Sequence, residues 1–300
     1  MRLLTVALAV LVAACGGSDS AEPTPTSLHP STTTITVDAG GTVESVGGDR
    51  PARLVIPPSW DSGGDPMPLV VLLHGYGASG ELQDVYLGIS RTGADLGYLT
   101  VTPNGTMDAR GSRFWNVSNL VGVVDDTGYI AGLIDEVVAD YNGDPNRVYL
   151  VGHSNGGFLA NKIACEMPER LDGIAAIAGG IFGATGDCAG PMRVLFVQGT
   201  DDGTVPYAGT TFLGASILGA DDTVDLWRQA GGCTVASEQE GPVNFDLVVE
   251  GDETTITRWA DCQPGASVEL WRMEGSGHVP GFLPSFRLAI MERLLGREGQ

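Results

Sequence analysis

The chain alternates between short apolar runs and segments with helical periodicity. Continuous apolar runs are typical of strands buried on both faces of a parallel sheet, and they occur at residues 68–73 and 98–102. Further strands are predicted at residues 147–152, 173–178, 194–198 and 268–273. Helices are predicted at residues 126–141, 155–166, 221–230 and 284–295 from stripes such as Ile130, Leu133, Ile134, Val137 and Val138. Strands that alternate with helices predict an α/β fold, with a mainly parallel, doubly wound sheet covered by helices on both faces.

Two regions depart from this alternation. Near the beginning, β-branched runs at residues 33–37 and 52–56 with glycines between them predict an opening hairpin. Residues 233–262 are acidic and contain alternating runs at 245–249 and 254–259, which predict a β-rich excursion bounded by two cysteines. No internal repeat is present, so residues 32–300 are predicted to form one domain that includes this excursion.

The first residues have the pattern of an export signal. Arg2 precedes an apolar run at residues 3–12 that is too short to span a bilayer, and Val12-Ala13-Ala14-Cys15 follows it. Small residues before a cysteine predict a lipoprotein signal peptide over residues 1–14, whose cleavage exposes Cys15 for lipidation. Residues 15–31 then read as a disordered tether. The alternative is an ordinary signal peptide cut near Ala14. We therefore expect an extracellular, lipid-anchored protein of the cell envelope.

Charge and cysteine content agree with export. The formal net charge is -21, from 16 Lys+Arg against 37 Asp+Glu, which disfavours nucleic acid and leaves the lipid anchor as the only expected membrane contact. Beyond Cys15 an even number of cysteines remains, and an oxidising compartment favours disulfides. The two pairings that close the shorter loops are Cys165–Cys188 and Cys233–Cys262. Because C-x-x-C is absent and the histidines are scattered, we expect no metal and no cofactor.

The segment Gly152-His153-Ser154-Asn155-Gly156 fits the pattern G-x-S-x-G. The pentapeptide is weak evidence alone, because a chain with Gly 44 supplies roughly 0.4 such matches by chance. Its context is stronger, since Ser154 lies between a predicted strand and a predicted helix, where a nucleophile elbow requires it. The base of such a site must come later in the chain. His278, in "EGSGHVPG", is the only histidine after Ser154.

The remaining site residues are predicted from the loops after other strands. The loop "GTDDGTVPY" offers Asp201 and Asp202 as the acid that orients the imidazole, and spacing alone does not separate them. The oxyanion donors are predicted to be the backbone N–H groups of Asn155 and, from "LLHGYGASG", of Tyr76. His74 and His153 are interpreted as packed, structural side chains. Trp115 in "RFWN" is a candidate substrate-binding residue, with burial in the core as the alternative.

These motifs occur in an order that resembles a known family. "LLHGYGASG", "RFWN", "VDDTGYIAGLIDEV", "DPNRVYLVGHSNGGFLA", "GTDDGTVPY", "GGC" and "GSGHVPG" are similar to the polyhydroxybutyrate depolymerase / feruloyl esterase-like family, near carbohydrate esterase family 1, which includes lipoprotein esterases of the LpqC type. The resemblance runs from about Pro51 to Leu295. It implies an α/β-hydrolase fold, and its H-G-T-x-D-x-x-V-P pattern aligns the acid with Asp202. Two departures are Gln198, where the family often has histidine, and the lack of a tryptophan after His278.

The sequence thus predicts a secreted, lipid-anchored serine esterase in which Ser154, His278 and Asp202 form the triad. The expected substrate is a small-molecule or polymeric ester, either of the hydroxyalkanoate type or a feruloyl or acetyl ester. A monomer is expected. Two other functions stay open: a peptidase or amidase of the same fold, and a non-catalytic envelope lipoprotein that binds ligands. Loss of a triad member would favour the second, and all three residues are present.

Overall fold

The central element of the fold is one large twisted sheet. In the computed structural model of the chain, the structure describes residues 41–117, 124–183, 188, 190–212, 214–235 and 237–297. Its strands are β1 (Thr42–Val46), β2 (Ala52–Ile56), β3 (Met67–Leu73), β4 (Leu99–Thr102), β5 (Thr106–Met107), β6 (Arg113–Phe114), β7 (Gly143–His153), β8 (Gly173–Ile177), β9 (Arg193–Gly199), β10 (Thr210–Phe212), β11 (Ala215–Ile217), β12 (Glu238–Val243), β13 (Thr254–Trp259) and β14 (Ser267–Met273). Ten of them form this sheet, in the order β1-β2-β4-β3-β7-β8-β9-β14-β13-β12.

The six strands in the middle of the sheet, from β4 to β14, run parallel to one another. Antiparallel strands close both sides, β1 and β2 on one and β13 and β12 on the other. The carboxyl ends of parallel strands share one edge of a sheet, where open α/β folds place their ligand sites. Here the loops after β3, β7, β9 and β14 meet at that edge.

Helices cover both faces of the sheet and create two cores. They are α1 (Gly80–Leu87), α2 (Ile89–Leu96), α3 (Asp126–Asp140), α4 (Asn155–Glu166), α5 (Ala220–Ala230) and α6 (Pro284–Leu294). Alternate residues of β3 point to opposite faces, so Leu69 and Val71 pack with α3, α4 and α5, whereas Val70 and Leu72 pack with α1, α2 and α6. This two-sided burial explains the uninterrupted apolar strands, and it confirms the predicted α/β-hydrolase architecture.

The excursion at residues 233–262 extends the sheet rather than forming a separate unit. Its strands β12 and β13 continue the sheet beyond β14. The Cys233–Cys262 disulfide joins its ends, and the Cys165–Cys188 disulfide joins the end of α4 to a later loop. A cross-link across about 29 residues contributes between about 3 and 4 kcal/mol in chain-entropy terms. The excursion therefore has a covalent closure in addition to its β-pairing.

Several details of the predicted secondary structure were wrong or incomplete, and α2 was not predicted. The partner of β2 is β1 at Thr42–Val46, while residues 33–37 lie outside the described residues. Residues 245–249 form a turn with one isolated bridge, and the excursion's first strand is instead the exposed, polar β12. The α1 helix was not predicted, because it exposes Leu82 and Val85 and buries Gln83 and Asp84, the reverse of an amphipathic pattern.

Candidate active site

The turn after β7 holds Ser154 in a strained backbone conformation. Ser154 has φ 55° and ψ -118°, a left-handed region that costs a non-glycine residue about 1–3 kcal/mol. Its N–H donates to the carbonyl of Ile177 at 2.8 Å. A Cβ at Gly152 would overlap the carbonyl of Gly156, and one at Gly156 would overlap that of Leu73. The glycines on either side of Ser154 thus permit the tight approach of β7, α4 and β3 that a nucleophile elbow needs.

His278 links the serine to a carboxylate. Its Nε2 lies 2.9 Å from Ser154 Oγ, and its Nδ1 lies 2.8 Å from Asp202 Oδ2. These three residues come from the loops after β14, β7 and β9, so the shared edge of the sheet brings together positions 76 and 124 residues apart. With Nδ1–H donated to Asp202, Nε2 can accept the serine proton. The arrangement can therefore perform nucleophilic acyl transfer with general-base assistance.

Asp202 is buried and fully hydrogen-bonded. Oδ1 accepts the backbone N–H groups of Thr204 and Val205, each at 2.8 Å, and Oδ2 accepts Gln198 Nε2 at 2.9 Å in addition to His278. Burial alone would raise the pKa of Asp202, but the hydrogen bonds from His278, Val205 and Thr204 outweigh burial and lower its pKa. The carboxylate is consequently ionised at neutral pH, as the orientation of an imidazole requires.

Asp201, the other candidate acid, faces solvent. Its side chain is exposed, and its backbone N–H donates to the carbonyl of Ser276 at 3.1 Å. The two neighbouring aspartates therefore differ in position: Asp202 contacts the imidazole, whereas Asp201 fixes the backbone of the loop that carries it. Of the two acids that spacing left open, the geometry favours Asp202.

The loop after β3 lies against the nucleophile. A Cβ built on Gly75 would be 3.5 Å from Ser154 Cβ. Among the described residues, neither the Tyr76 nor the Asn155 backbone N–H has a hydrogen-bond acceptor. The Tyr76 side chain turns outward, where its hydroxyl donates to Asp108 at 2.6 Å. Unengaged N–H groups near the nucleophile are what an oxyanion hole needs, and the roles of Tyr76 and Asn155 as its donors stay a prediction.

His74 stabilises the loop after β3 through two hydrogen bonds of its buried ring. The ring is fully buried, its Nε2 accepts the Gly105 N–H at 2.9 Å, and its Nδ1 lies 2.8 Å from the carbonyl of Gly75. Because Nε2 must be unprotonated to accept, the proton is on Nδ1 and the ring is neutral. Burial lowers the pKa of His74, which keeps it neutral. His74 is thus a structural side chain in this arrangement, as we expected.

Trp115 does not line an open cleft, contrary to its assignment as a substrate-binding residue. Its side chain is 1% exposed, and Nε1 donates to the carbonyl of His74 at 2.9 Å. Its backbone is clasped by the Asn155 side chain, which accepts the Trp115 N–H at 2.6 Å and donates to its carbonyl at 3.1 Å. Trp115 therefore connects the loop after β3 to the start of α4. The core alternative was the correct one for this tryptophan.

Several supporting residues were missed at the sequence level. Gln83 on α1 accepts the Gly75 N–H at 3.1 Å, and Tyr86 donates its hydroxyl to the carbonyl of Pro280 at 2.8 Å. Gln198 was noted only as a departure from the family pattern, yet it donates directly to Asp202. Gln83 and Tyr86 belong to no motif, and each partner lies far away or across a loop. Only the placement of "GTDDGTVPY" directly after β9 could have drawn attention to Gln198.

His153, within the elbow, supports the segment that carries the base. Its Nε2 lies 2.9 Å from the carbonyl of His278, and the two rings are 5.2 Å apart. Burial is the main reason why the pKa of His153 falls from 6.5 to about 4, and it outweighs the hydrogen bond to the His278 carbonyl, which raises that pKa. A neutral His153 donates Nε2–H to that carbonyl and so fixes the backbone of the catalytic-site histidine.

Other predicted groups can be placed only in part. Cys15 and the leader lie outside the described residues. Within the described ranges, no group of three or more His, Cys, Asp or Glu side chains is arranged to hold a metal ion. No helix in that part of the chain is both long and apolar enough to cross a membrane.

Comparisons with known proteins identify the family. Residues 52–208 match the family described as Esterase PHB depolymerase. The chain is 26% identical to NocK of Nocardia uniformis subsp. tsuyamanensis, which bears the name of an esterase, over 95% of this chain and 92% of the relative. It is 27% identical to Feruloyl esterase B of Piromyces equi over 75% of this chain, and it spans 42% of that longer protein.

A solved structure shares the fold. The acetyl xylan esterase from Aspergillus awamori superimposes with a TM-score of 0.60 at 16% identity, covering 85% of this chain and 99% of the other. At this level of identity the similarity concerns the α/β-hydrolase architecture and carries no information about the substrate.

Separate replacement of Asp201 and Asp202 tests which of the two carboxylates orients the His278 imidazole. Asp202→Asn is expected to lower kcat on the order of 10⁴-fold, because an amide favours the wrong imidazole tautomer. Asp201→Asn is the matched control and should change kcat less than about threefold, because its side chain does not reach the imidazole. Steady-state hydrolysis of a p-nitrophenyl ester by both folded variants measures the difference. The reverse ranking would contradict the assignment of Asp202.

The neutral state of His153 predicts acid-sensitive stability. Between pH 6.5 and about 4 the unfolded chain binds a proton at this residue and the folded chain does not, so the free energy of unfolding falls as the pH falls. The loss reaches about 3 kcal/mol at the acid end of this window. His153→Gln keeps an N–H donor without the titration, so its urea-unfolding free energy should fall less steeply than that of the wild type. Parallel pH profiles for the two proteins would contradict the prediction.

Proposed function

This chain belongs to the Esterase PHB depolymerase family, and from that premise we propose that it hydrolyses neutral carboxylic esters through an acyl-enzyme formed on Ser154. The observation that carries the proposal is the hydrogen-bonded series Asp202–His278–Ser154, with distances of 2.8 and 2.9 Å. A serine hydroxyl is a weak nucleophile on its own, so a base at hydrogen-bonding distance is the feature that a catalytic serine needs.

The proposed first half-reaction forms the acyl-enzyme. Ser154 Oγ attacks the ester carbonyl carbon while its proton passes to His278 Nε2. The resulting imidazolium is stabilised by ionised Asp202, and the carbonyl oxygen, now negative, accepts the N–H groups of Tyr76 and Asn155. Collapse of the tetrahedral intermediate breaks the bond to the alcohol oxygen, which leaves with the proton from His278.

The second half-reaction returns the enzyme to its starting state. A water molecule gives its proton to His278 Nε2 and attacks the acyl carbon, and the same two N–H groups hold the second oxyanion. Breakdown releases the carboxylic acid, and the proton on His278 returns to Ser154 Oγ. Because the oxyanion donors are backbone groups braced by buried His74 and Trp115, they need no reorganisation in either step.

Exposed side chains beside His278 support an apolar, uncharged substrate. Leu247, Val248 and Val279 are 75%, 80% and 65% exposed, and a Cβ built on Gly281 would lie 3.0 Å from Val248. Scattered apolar side chains are ordinary on a surface, but Val279 directly follows His278, and Leu247 and Val248 lie against Gly281, so we infer that the three form an apolar patch near the base. The net charge of -21 disfavours anionic substrates. Esters of the hydroxyalkanoate, feruloyl or acetyl type, the classes named for relatives, are the proposed substrates.

We propose that the protein acts outside the cytoplasm, anchored by lipid at Cys15. The leader pattern supports the anchor, and the disulfides Cys165–Cys188 and Cys233–Cys262 support an oxidising compartment. A lipid on the first residue of the mature chain, followed by a polar tether over residues 15–31, would hold the catalytic domain near the membrane while leaving it free to meet substrate. Within this arrangement the domain itself needs no contact with the bilayer.

The activity is tested with a panel of esters on the folded domain: p-nitrophenyl acetate and butyrate, methyl ferulate, acetylated xylan and hydroxybutyrate oligomers. We expect the wild type to hydrolyse at least one natural class, and Ser154→Ala to lower kcat by at least about 10⁵-fold. Ser59→Ala, at an exposed position, is the control and should retain full activity.

The same panel, extended by p-nitroanilide amides, separates the alternative functions. Hydrolysis of p-nitroanilide amides without ester hydrolysis would favour a peptidase or amidase. No turnover of any substrate by the wild type, or substantial activity in Ser154→Ala, would contradict a serine esterase and favour a binding protein.

The anchor is tested separately from the activity. Labelled palmitate is expected to enter the full-length protein during expression in a bacterium that processes lipoproteins, because residues 12–15 read Val-Ala-Ala-Cys. Cys15→Ser should abolish labelling and release the protein from the membrane fraction, with ester hydrolysis unchanged. Ser18→Ala in the tether is the control. A wild-type protein that carries no label would contradict the lipidation proposal.

A further inference from the structure

The segment that carries His278 needs external support. It connects β14 to α6 and contains Gly275, Gly277 and Gly281, so its backbone has little intrinsic rigidity. An imidazole that must bridge Ser154 and Asp202 tolerates little displacement, since an error of about 1 Å in a catalytic group costs on the order of 10²-fold in rate. The contacts that hold residues 276–283 therefore matter for catalysis.

One buried carboxylate holds this segment on both sides of the histidine. Asp246, which is 1% exposed, accepts the Ser276 hydroxyl on Oδ2 at 2.8 Å and the Gly281 N–H on Oδ1 at 2.8 Å. These two donors lie two residues before and three residues after His278. A single side chain thus fixes the separation of the two ends of the loop.

Backbone pairing adds to the side-chain contacts. Asp246 and Phe282 form an antiparallel bridge. The Leu247 N–H donates to the carbonyl of Gly281 at 2.9 Å, and the Leu283 N–H donates to the carbonyl of Phe245 at 2.9 Å. Residues 245–247 therefore lie beside residues 281–283 as a short, local strand pair.

The turn that carries Asp246 is held in place by contacts within the excursion and with β14. Both carboxylate oxygens of Glu253 accept the Phe245 N–H, at 3.1 and 3.2 Å, and Asp246 Oδ1 also accepts the Val248 N–H at 3.0 Å. The Phe245 ring stacks on Trp271 of β14 with 5.3 Å between centroids. The turn at residues 244–253 is consequently braced from inside and anchored to the sheet.

The chemistry of Asp246 is unusual for a residue that serves stability alone. Burial of a carboxylate is costly, and Asp246 forms no ion pair with the described residues, since its partners are two backbone N–H groups and one hydroxyl. The Asp246 carboxylate instead fixes the distance between the two ends of the loop that carries His278, because one planar group accepts hydrogen bonds from Ser276 and Gly281.

We propose that Asp246 is a positioning residue for His278 and that the excursion at residues 233–262 serves to present it. The inference rests on the proposed esterase function. It assigns to the excursion a role in holding the base in register with Ser154 and Asp202. Asp246 acts through the loop, since its recorded contacts are with Ser276, Val248 and Gly281 rather than with His278.

The test compares two replacements of Asp246. Asp246→Ala removes both anchor bonds, and we expect kcat for p-nitrophenyl butyrate to fall about 10²-fold with KM changed less than threefold. Asp246→Asn keeps an oxygen for the Gly281 and Val248 N–H groups, and its amide nitrogen can donate to Ser276 Oγ. It should therefore restore kcat to within about fivefold of the wild type. An Asn variant as impaired as the Ala variant would overturn the proposal, as would an Ala variant that is folded and fully active.

A matched variant separates positioning from stability. Glu269 is also a buried carboxylate, 2% exposed, but its side chain bonds to Trp271 and Arg293 and not to residues 276–283. Glu269→Ala should lower the unfolding temperature at least as much as Asp246→Ala while keeping kcat within threefold. If Asp246→Ala does not fold, Ser276→Ala removes one anchor bond alone and should lower kcat about fivefold. An unchanged kcat in that variant would overturn the proposal.

Two further measurements keep this inference distinct from the proposed function. Covalent labelling of Ser154 by a fluorophosphonate reports activation of the serine without any ester turnover, and its rate should fall with kcat in Asp246→Ala. Amide hydrogen exchange at residues 276–283 should become faster in that variant and stay slow in Asp246→Asn. If the wild type neither turns over esters nor reacts with the probe, the esterase proposal fails. Unchanged exchange in Asp246→Ala would then overturn the positioning role by itself.

Discussion

The strained backbone of Ser154 is the constraint on which the rest of the site depends. A residue with φ 55° between β7 and α4 persists only where its surroundings determine the conformation. Here the close approach of Gly152 to Gly156, and of Gly156 to the carbonyl of Leu73, leaves no room for an alternative. This turn places Ser154 directly before the first residue of α4, with its Oγ 2.9 Å from His278 Nε2. The apolar cores on both faces of the sheet supply the stability that offsets this local cost.

Around that turn the protein uses buried polar groups as rigid supports. His74, Trp115 and the Asn155 side chain connect the loop after β3 to the turn at Ser154. His153 connects that turn to the segment that carries His278. Each is a neutral group with its hydrogen bonds satisfied inside the protein. The neutrality of these groups matters, because a buried charge beside the site would interact strongly with the imidazolium and the oxyanion of the proposed reaction. Burial lowers the pKa of both His74 and His153, and so keeps these two rings uncharged beside the site at neutral pH.

The sequence was sufficient for the parallel sheet, and it narrowed the hydrogen-bonded series to Ser154, His278 and one of two neighbouring aspartates, for a physical reason. Strands buried on both faces are mostly apolar, and the loops that follow them carry Ser154, Asp202 and His278 in a fixed chain order. It was insufficient where the local pattern contradicts the tertiary environment. The α1 helix buries Gln83 and exposes Leu82, because Gln83 is needed at Gly75, and β12 is polar because it lies at the sheet's edge. Trp115 is buried because it packs and hydrogen-bonds with His74 and Asn155, each about 40 residues away in the sequence.

The excursion shows the same limit most clearly. Residues 245–249 alternate as a strand would, yet they do not form one. Phe245 stacks on Trp271, whereas the Asp246 side chain accepts hydrogen bonds from Ser276 and Gly281. Prediction of a strand from periodicity assumes that alternate residues share one environment. That assumption fails where two adjacent side chains each make a separate contact. Contacts such as Asp246 to Ser276, or His153 to His278 across 125 positions, follow from where the strands end rather than from any local motif. The edge of the sheet that gathers the reacting groups therefore also gathers the residues that hold them, and only the assembled fold reveals the second set.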